Sequence, residues 1–124
     1  MKRLENRQMS ILLVEDHEDT RNVMKRLLGL MNYQIEVAAS IKEALAMSND
    51  KQYDIMLSDV GLPDGVGYEL LNKMKNKPRR SFALTGREDE GEAQAHGFDG
   101  HLVKPIGMGQ LQSVLDNAAT IRPR

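Results

Sequence analysis

The chain has no cysteine among its 124 residues, which excludes disulfides and thiolate metal sites and fits a reducing compartment. No apolar run approaches the ~20 residues a membrane-spanning helix needs. The opening stretch MKRLENRQMS is charged and lacks an apolar centre, so it is no signal peptide. Excess charge of either sign is missing too. Lys and Arg number 17 against 18 Asp and Glu, a formal net charge of −1, and nothing in that total points to nucleic acid or an anionic membrane. Internal repeats and low-complexity tracts are absent. What remains is an ordinary globular composition, 40% apolar and 28% charged, at a length that suits one domain around one core. Residues 1–9 and 120–124 read as tails or linker stubs, with a single domain over 10–119.

Apolar periodicity divides the domain into alternating elements. SILLV is a continuous apolar run of strand length ended by Glu15 and Asp16, and Val23, Met24, Leu27, Leu28 and Met31 then recur at helical spacing. QIEVA reads as a second strand. Ser40 and Glu43 form a capping box that opens a second helix. YDIMLS is the third strand, with little alternation, as in a strand covered on both faces. A Gly-rich loop leads to a third helix expected over Tyr68–Asn76, and the basic cluster Lys75–Arg80 reads as a solvated loop closing it. SFALT and GHLV are the fourth and fifth strands. The stretch between them is a weak helix with Gly91 inside it, and Met108, Leu111, Val114, Leu115 and Ala118 mark an amphipathic last helix. Strands alternating with helices predict an α/β doubly wound, five-stranded parallel sheet of order 2-1-3-4-5, flavodoxin-like, with helices on both faces.

In such a sheet, ligands gather at the carboxyl ends of the strands, where the strand order reverses. Those ends carry Glu15 and Asp16 after strand one, Asp59 after strand three, Thr85 after strand four and Lys104 after strand five. Three carboxylates in one crevice repel, by roughly 4 kcal/mol per pair at 4 Å and an effective dielectric of 20. A bound divalent cation resolves that conflict, and an all-oxygen ligand set favours Mg2+. A backbone carbonyl from the loop after Asp59 adds one more ligand. Lys104 brings a positive charge and Thr85 a hydroxyl, so the pocket suits the equatorial oxygens of a phosphoryl group, with Asp59 as carboxylate nucleophile. Singly, each of these residues would more often be a helix cap, a strand-end hydroxyl or a surface charge; together on four strand ends they point to chemistry.

The stretches ILLVEDHEDTR, YDIMLSDVGLPDGVGYELL, FALTGR and HLVKPI, in this order, resemble the receiver domain of two-component response regulators over residues 10–118. The resemblance implies Asp59 as phosphoacceptor, with Glu15 and Asp16 as the acidic pair that binds Mg2+, for which Mn2+ substitutes. It implies the Gly61 backbone carbonyl as the remaining protein ligand, beside Asp59 itself. Thr85 resembles the switch hydroxyl, Lys104 the lysine that pairs with the phosphoryl group, and Lys104–Pro105 the family's cis peptide bond. The implied reaction is phosphoryl transfer from a phosphohistidine to Asp59, a change of conformation at the face of the fourth helix, fifth strand and fifth helix, and slow hydrolysis of the acyl phosphate. The implied partner is a histidine kinase or a histidine phosphotransfer protein, with a homodimer left open and no nucleic acid or direct membrane contact. The implied location is cytoplasmic, whether or not a longer parent is membrane-anchored.

Three departures stand out. Where many family members carry Tyr or Phe, this chain has His101, whose ordinary pKa near 6.5 would make a switching role pH-sensitive. The segment Gly86–Gly100 looks short, and its helix is expected to be truncated, mobile or irregular. Arg87 lies two positions past Thr85, either as a solvated cation or over the mouth of the site. The sequence ends soon after the last expected helix, leaving no room in it for an output module, and the motifs look most like receivers of hybrid histidine kinases. Two competing functions stay open. A phosphatase of the haloacid-dehalogenase type also uses Asp and Mg2+, but wants its nucleophile after the first strand. A phosphorylation-independent interaction module would keep the fold without needing the acids, Thr85 or Lys104.

Overall fold

A computed structural model describes residues 8–88 and 91–120. The strands are β1 (Ser10–Val14), β2 (Gln34–Ala38), β3 (Ile55–Asp59), β4 (Arg80–Thr85) and β5 (Gly100–Val103), all parallel in the order β2-β1-β3-β4-β5. The helices are α1 (Glu18–Leu30), α2 (Ile41–Ser48), α3 (Leu70–Lys73), α4 (Glu92–Ala95) and α5 (Met108–Thr120). This is the expected doubly wound sheet, and the order reverses between β1 and β3.

Alternation along the strands explains both layers. Ile11 and Leu13 of β1 face α1 and α5, in a cluster with Met24, Leu28, Leu111 and Leu115; Leu12 and Val14 face the other side with Ala44, Leu70, Leu71 and Ala93. Because both faces are covered, β1 is buried at every position and reads as an unbroken apolar run. Half of the capping box of α2 forms: Ser40 Oγ accepts from the Glu43 amide at 3.1 Å, while the Glu43 carboxylate reaches one residue past the cap and accepts from the Ala39 amide at 2.7 Å.

Several expectations need correction. The third helix does not span Tyr68–Asn76. A 3-10 turn at Gly67–Glu69 leads into the four-residue α3, and Met74 leaves in an extended conformation, burying its side chain while the Lys77 ammonium takes its carbonyl at 2.9 Å. Arg80 is not loop: it is buried and opens β4, opposite Ile55. Val23 is exposed rather than part of the α1 core face, since the helix meets the sheet on a narrower stripe through Met24 and Leu28. The third strand starts at Ile55, so Tyr53 and Asp54 precede it, and Asp59 is its last residue. The weak helix after β4 is indeed one short helix, α4; residues 89 and 90 lie outside the described part. Gly91, expected inside that helix, instead precedes it in the left-handed region at φ 90°. A stack of Tyr68 on His96, with centroids 5.3 Å apart, and an edge contact of Tyr68 with Phe98 hold the α4 segment against α3.

Candidate active site at the strand ends

The parallel register sets the site. Val14 pairs with Ser58, so the next residues, Glu15 and Asp59, leave adjacent strands at one level. Both positions are anchored by backbone bonds beyond the strand ends: the Glu15 amide donates to the Ala38 carbonyl at 2.9 Å and the Val60 amide to that of Leu84 at 3.1 Å. On the far side of β4, the Lys104 amide continues the ladder to the Thr85 carbonyl at 2.7 Å, and the Lys104–Pro105 bond is cis. The Lys104 side chain crosses the end of β4. Its ammonium donates to Glu15 Oε1 at 2.9 Å and to Asp59 Oδ2 at 3.1 Å.

Glu15, Asp16 and Asp59 each place a carboxylate oxygen within 4.8 Å of the others. Glu15 is fully buried; its second oxygen accepts from the His17 amide at 3.1 Å. Asp16 is exposed, and among the described residues no donor reaches its carboxylate. The Arg21 guanidinium instead donates to the backbone carbonyls of Glu15 at 2.9 Å and Asp16 at 3.3 Å. Burial pushes the Asp59 carboxyl above the ordinary aspartate range; the Lys104 hydrogen bond opposes this, and the Glu15 charge adds to it. Burial alone would lower the Lys104 ammonium, but its bonds to Glu15 and Asp59 outweigh that and raise it. The two directions agree physically. Lys104 sees two carboxylates, whereas Asp59 sees one cation and one like charge, so a single ammonium leaves the cluster short of positive charge. A hard divalent cation fits that deficit and that oxygen-only donor set.

Gly61 opens a two-residue hairpin, Gly61–Leu62 against Gly65–Val66, directly after Asp59 and Val60. Asp64 pins this loop to the start of α2, accepting from the amides of Ile41 at 2.9 Å and Lys42 at 3.0 Å; these bonds hold its carboxyl below the usual aspartate range. Thr85 is buried, but its hydroxyl donates to the Arg87 carbonyl at 2.5 Å, away from the acids. Arg87 therefore takes part through its backbone, while its side chain is exposed. His101, half-buried on β5, meets Glu88 of the β4–α4 loop at 2.9 Å and is not part of the acidic cluster. The carboxylates and Lys104 thus stand together, with Thr85 and His101 engaged beside them by that loop.

Sequence reasoning passed over Gly67. A Cβ there would lie 1.9 Å from the Asp59 carbonyl oxygen, so only glycine allows the returning chain to cross behind the aspartate. The signal was the Gly-Val-Gly spacing at the end of the loop. It also passed over Asp54, a buried acid at the opposite sheet edge that accepts from the Ser10 amide at 2.8 Å and its hydroxyl at 3.3 Å.

A family model for the response regulator receiver domain matches residues 11–116. The chain belongs to that family. This receiver is 33% identical to an uncharacterised 14.6 kDa protein encoded in the sodA1 3′ region of Leptolyngbya boryana, over 80% of this chain and 81% of that one. It is 30% identical to the sensor protein EvgS of Escherichia coli K12 over 94% of this chain, which spans only 10% of EvgS. The receiver domain of the sensor histidine kinase PA1611 from Pseudomonas aeruginosa, a structure with a magnesium ion coordinated in its active site cleft, superposes with a TM-score of 0.82 at 26% identity. That likeness covers 93% of this chain and all (100%) of the other.

Proposed function

We propose that this receiver accepts a phosphoryl group on Asp59 from a phosphohistidine in a Mg2+-dependent reaction, changes conformation, and slowly hydrolyses the acyl phosphate. The observation that carries this reading is the Lys104 ammonium bonded to both Glu15 and Asp59, two of three acids whose carboxylate oxygens lie within 4.8 Å of one another. A cation-starved oxygen cluster around a strand-end aspartate suits phosphoryl transfer better than any structural role, because a purely structural trio of acids would cost stability.

Glu15, Asp16, Asp59 and the Gly61 carbonyl would hold the metal. The ion supplies charge neutralisation of phosphoryl oxygens as they approach the acids. The chain's own residues do the rest. An oxygen of the Asp59 carboxylate forms the new bond to phosphorus as the phosphorus–nitrogen bond breaks, and the departing imidazole keeps the electron pair. The acyl phosphate moves the negative charge from the Asp59 carboxylate onto the phosphoryl oxygens and adds to it, so the site needs cationic partners for those oxygens. Lys104 then shifts its hydrogen bond from the carboxylate to the phosphoryl group. Thr85 leaves the Arg87 carbonyl to donate to a phosphoryl oxygen, which frees the β4–α4 loop and carries the change to His101 through Glu88. The partner is a histidine kinase or a histidine phosphotransfer protein, and a longer hybrid-kinase parent suits the similarity to EvgS.

The test is incubation with Mg2+ and acetyl phosphate followed by intact-mass measurement. A gain of one phosphoryl group, absent in Asp59→Asn, is expected. No gain with any donor would favour the inert interaction module, and sustained turnover of a small phosphate ester the phosphatase.

A further inference from the structure

We propose that Arg21 is a positioning residue for the metal and phosphoryl chemistry: its guanidinium clamps the carbonyls of Glu15 and Asp16 and so aims the Asp16 carboxylate. The inference rests on the phosphoryl-acceptor reading of Asp59.

The three acids are held very differently. Glu15 is buried, with one oxygen on Lys104 and the other on the His17 amide. Asp59 ends a strand and is bonded to Lys104. Asp16 has neither support: it lies past the end of β1, before α1 begins, and no donor among the described residues reaches its side chain. Its direction is set by its backbone, whose flanking amides are held by Ala38 and the Glu15 carboxylate and whose carbonyls are held by Arg21. From the first turn of α1 the guanidinium reaches back to the Glu15 carbonyl at 2.9 Å and the Asp16 carbonyl at 3.3 Å. His17 at the N-cap makes no capping hydrogen bond of its own, and the other side-chain brace of this turn is the Glu15 carboxylate on the His17 amide. Both bonds leave one nitrogen, Nη1, whose two N–H groups are fixed in the guanidinium plane, whereas a lysine ammonium on its flexible stem has no such fixed direction. Groups that orient metal ligands in this way commonly contribute about 10–100-fold in metal affinity.

The alternative role, a cation that offsets the acids, predicts the opposite sign. Removing a positive charge near three carboxylates would tighten Mg2+ binding, whereas loosening the Asp16 turn weakens it. Full-length Arg21→Met and Arg21→Lys are titrated with Mg2+ and assayed for acetyl phosphate reaction, with melting curves as the check on folding. We expect Mg2+ affinity to fall about 10-fold in Arg21→Met, with the Mg2+ requirement for phosphorylation rising by the same factor. The acetyl phosphate dependence at saturating Mg2+ should stay within about 2-fold, since the donor does not touch Arg21. Arg21→Lys should fall between the two, and it carries the test if the Met variant does not fold. Unchanged or tighter Mg2+ binding in a folded variant, with a reactive wild type, overturns the clamp alone. A wild type that neither binds Mg2+ nor gains mass overturns the Asp59 reading and the clamp with it.

Discussion

Gly67→Ala should damage the chemistry of Asp59 without touching a side chain of the site. The alanine Cβ would stand 1.9 Å from the Asp59 carbonyl oxygen and 2.9 Å from its carbon, where contacts shorter than 3.0 Å are essentially not found. Relieving the closer contact needs a backbone shift of about 1.1 Å, the difference between 1.9 and 3.0 Å. Neither strand of the crossing is free to yield. The Gly67 amide is bonded to the Val60 carbonyl at 2.5 Å, the Val60 amide to the Leu84 carbonyl, and Asp59 itself pairs with Leu84 in the sheet. Overpacking of this kind costs about 1–3 kcal/mol. The displacement also passes to the nucleophile, and a misplacement near 1 Å can cost about 100-fold in rate. The assay is the initial rate of mass gain with acetyl phosphate at saturating Mg2+, alongside a melting curve. Gly29→Ala is the control: it lies within α1 with open space around its Cβ, and should gain about 0.5–1 kcal/mol from helix propensity. A Gly67→Ala protein that melts and reacts like wild type would refute the close-approach argument.

Three further outcomes follow from the same geometry. Asp54→Ala should lose about 1–3 kcal/mol in denaturant unfolding, because the buried Ser10 amide is left without its acceptor, and Asp54→Asn, which keeps an acceptor oxygen, should lose less. Asp59, whose carboxyl is raised, destabilises the metal-free fold as pH climbs from the ordinary aspartate value of 3.8 through its folded value; Asp59→Asn should therefore melt higher than wild type at neutral pH. Mg2+ at ten times its dissociation constant should narrow that gap by stabilising the wild type about 1.4 kcal/mol, and equal melting in its absence would contradict the assignment. Asp64, whose carboxyl is lowered by the Ile41 and Lys42 amides, contributes above the ordinary aspartate pKa and releases the loop as pH falls through its own lower value. The protection of the Ile41 and Lys42 amides against exchange, relative to the free-chain rate at each pH, should fall only in that acid range, and should be low at every pH in Asp64→Ala.

The strands were legible by two different patterns: β1, buried at every position, reads as an unbroken apolar run, whereas β2 alternates exposed Gln34 and Glu36 with half-buried Ile35 and Val37. The third helix was not: it was read over Tyr68–Asn76, but Gly67 is drawn up to the Asp59 carbonyl, a 3-10 turn takes Gly67–Glu69 and Met74 leaves extended, so α3 keeps four residues. Helical periodicity in a short window cannot register that close approach.

The acids and Lys104 could be read from the sequence because a parallel sheet sends every strand's carboxyl end to one edge, so a charged residue after each run is already a statement about space. The contacts of Gly67, Arg21 and Asp64 could not, even where the Gly-Val-Gly spacing marks a tight loop, and for one shared reason. Each acts on backbone atoms: an oxygen of Asp59, the carbonyls of Glu15 and Asp16, the amides of Ile41 and Lys42. Every residue carries those groups, so no pairing of residue types announces the contact. The direction of the Thr85 hydroxyl has the same character, since the acceptor it uses is the Arg87 carbonyl rather than any side chain. The charged groups gathered at the strand ends of this receiver are therefore written in residue types, whereas the backbone contacts around them are written in chain geometry. A variant library scored only on the charged positions would miss the second set, and Gly67 and Arg21 are where that omission should be most costly.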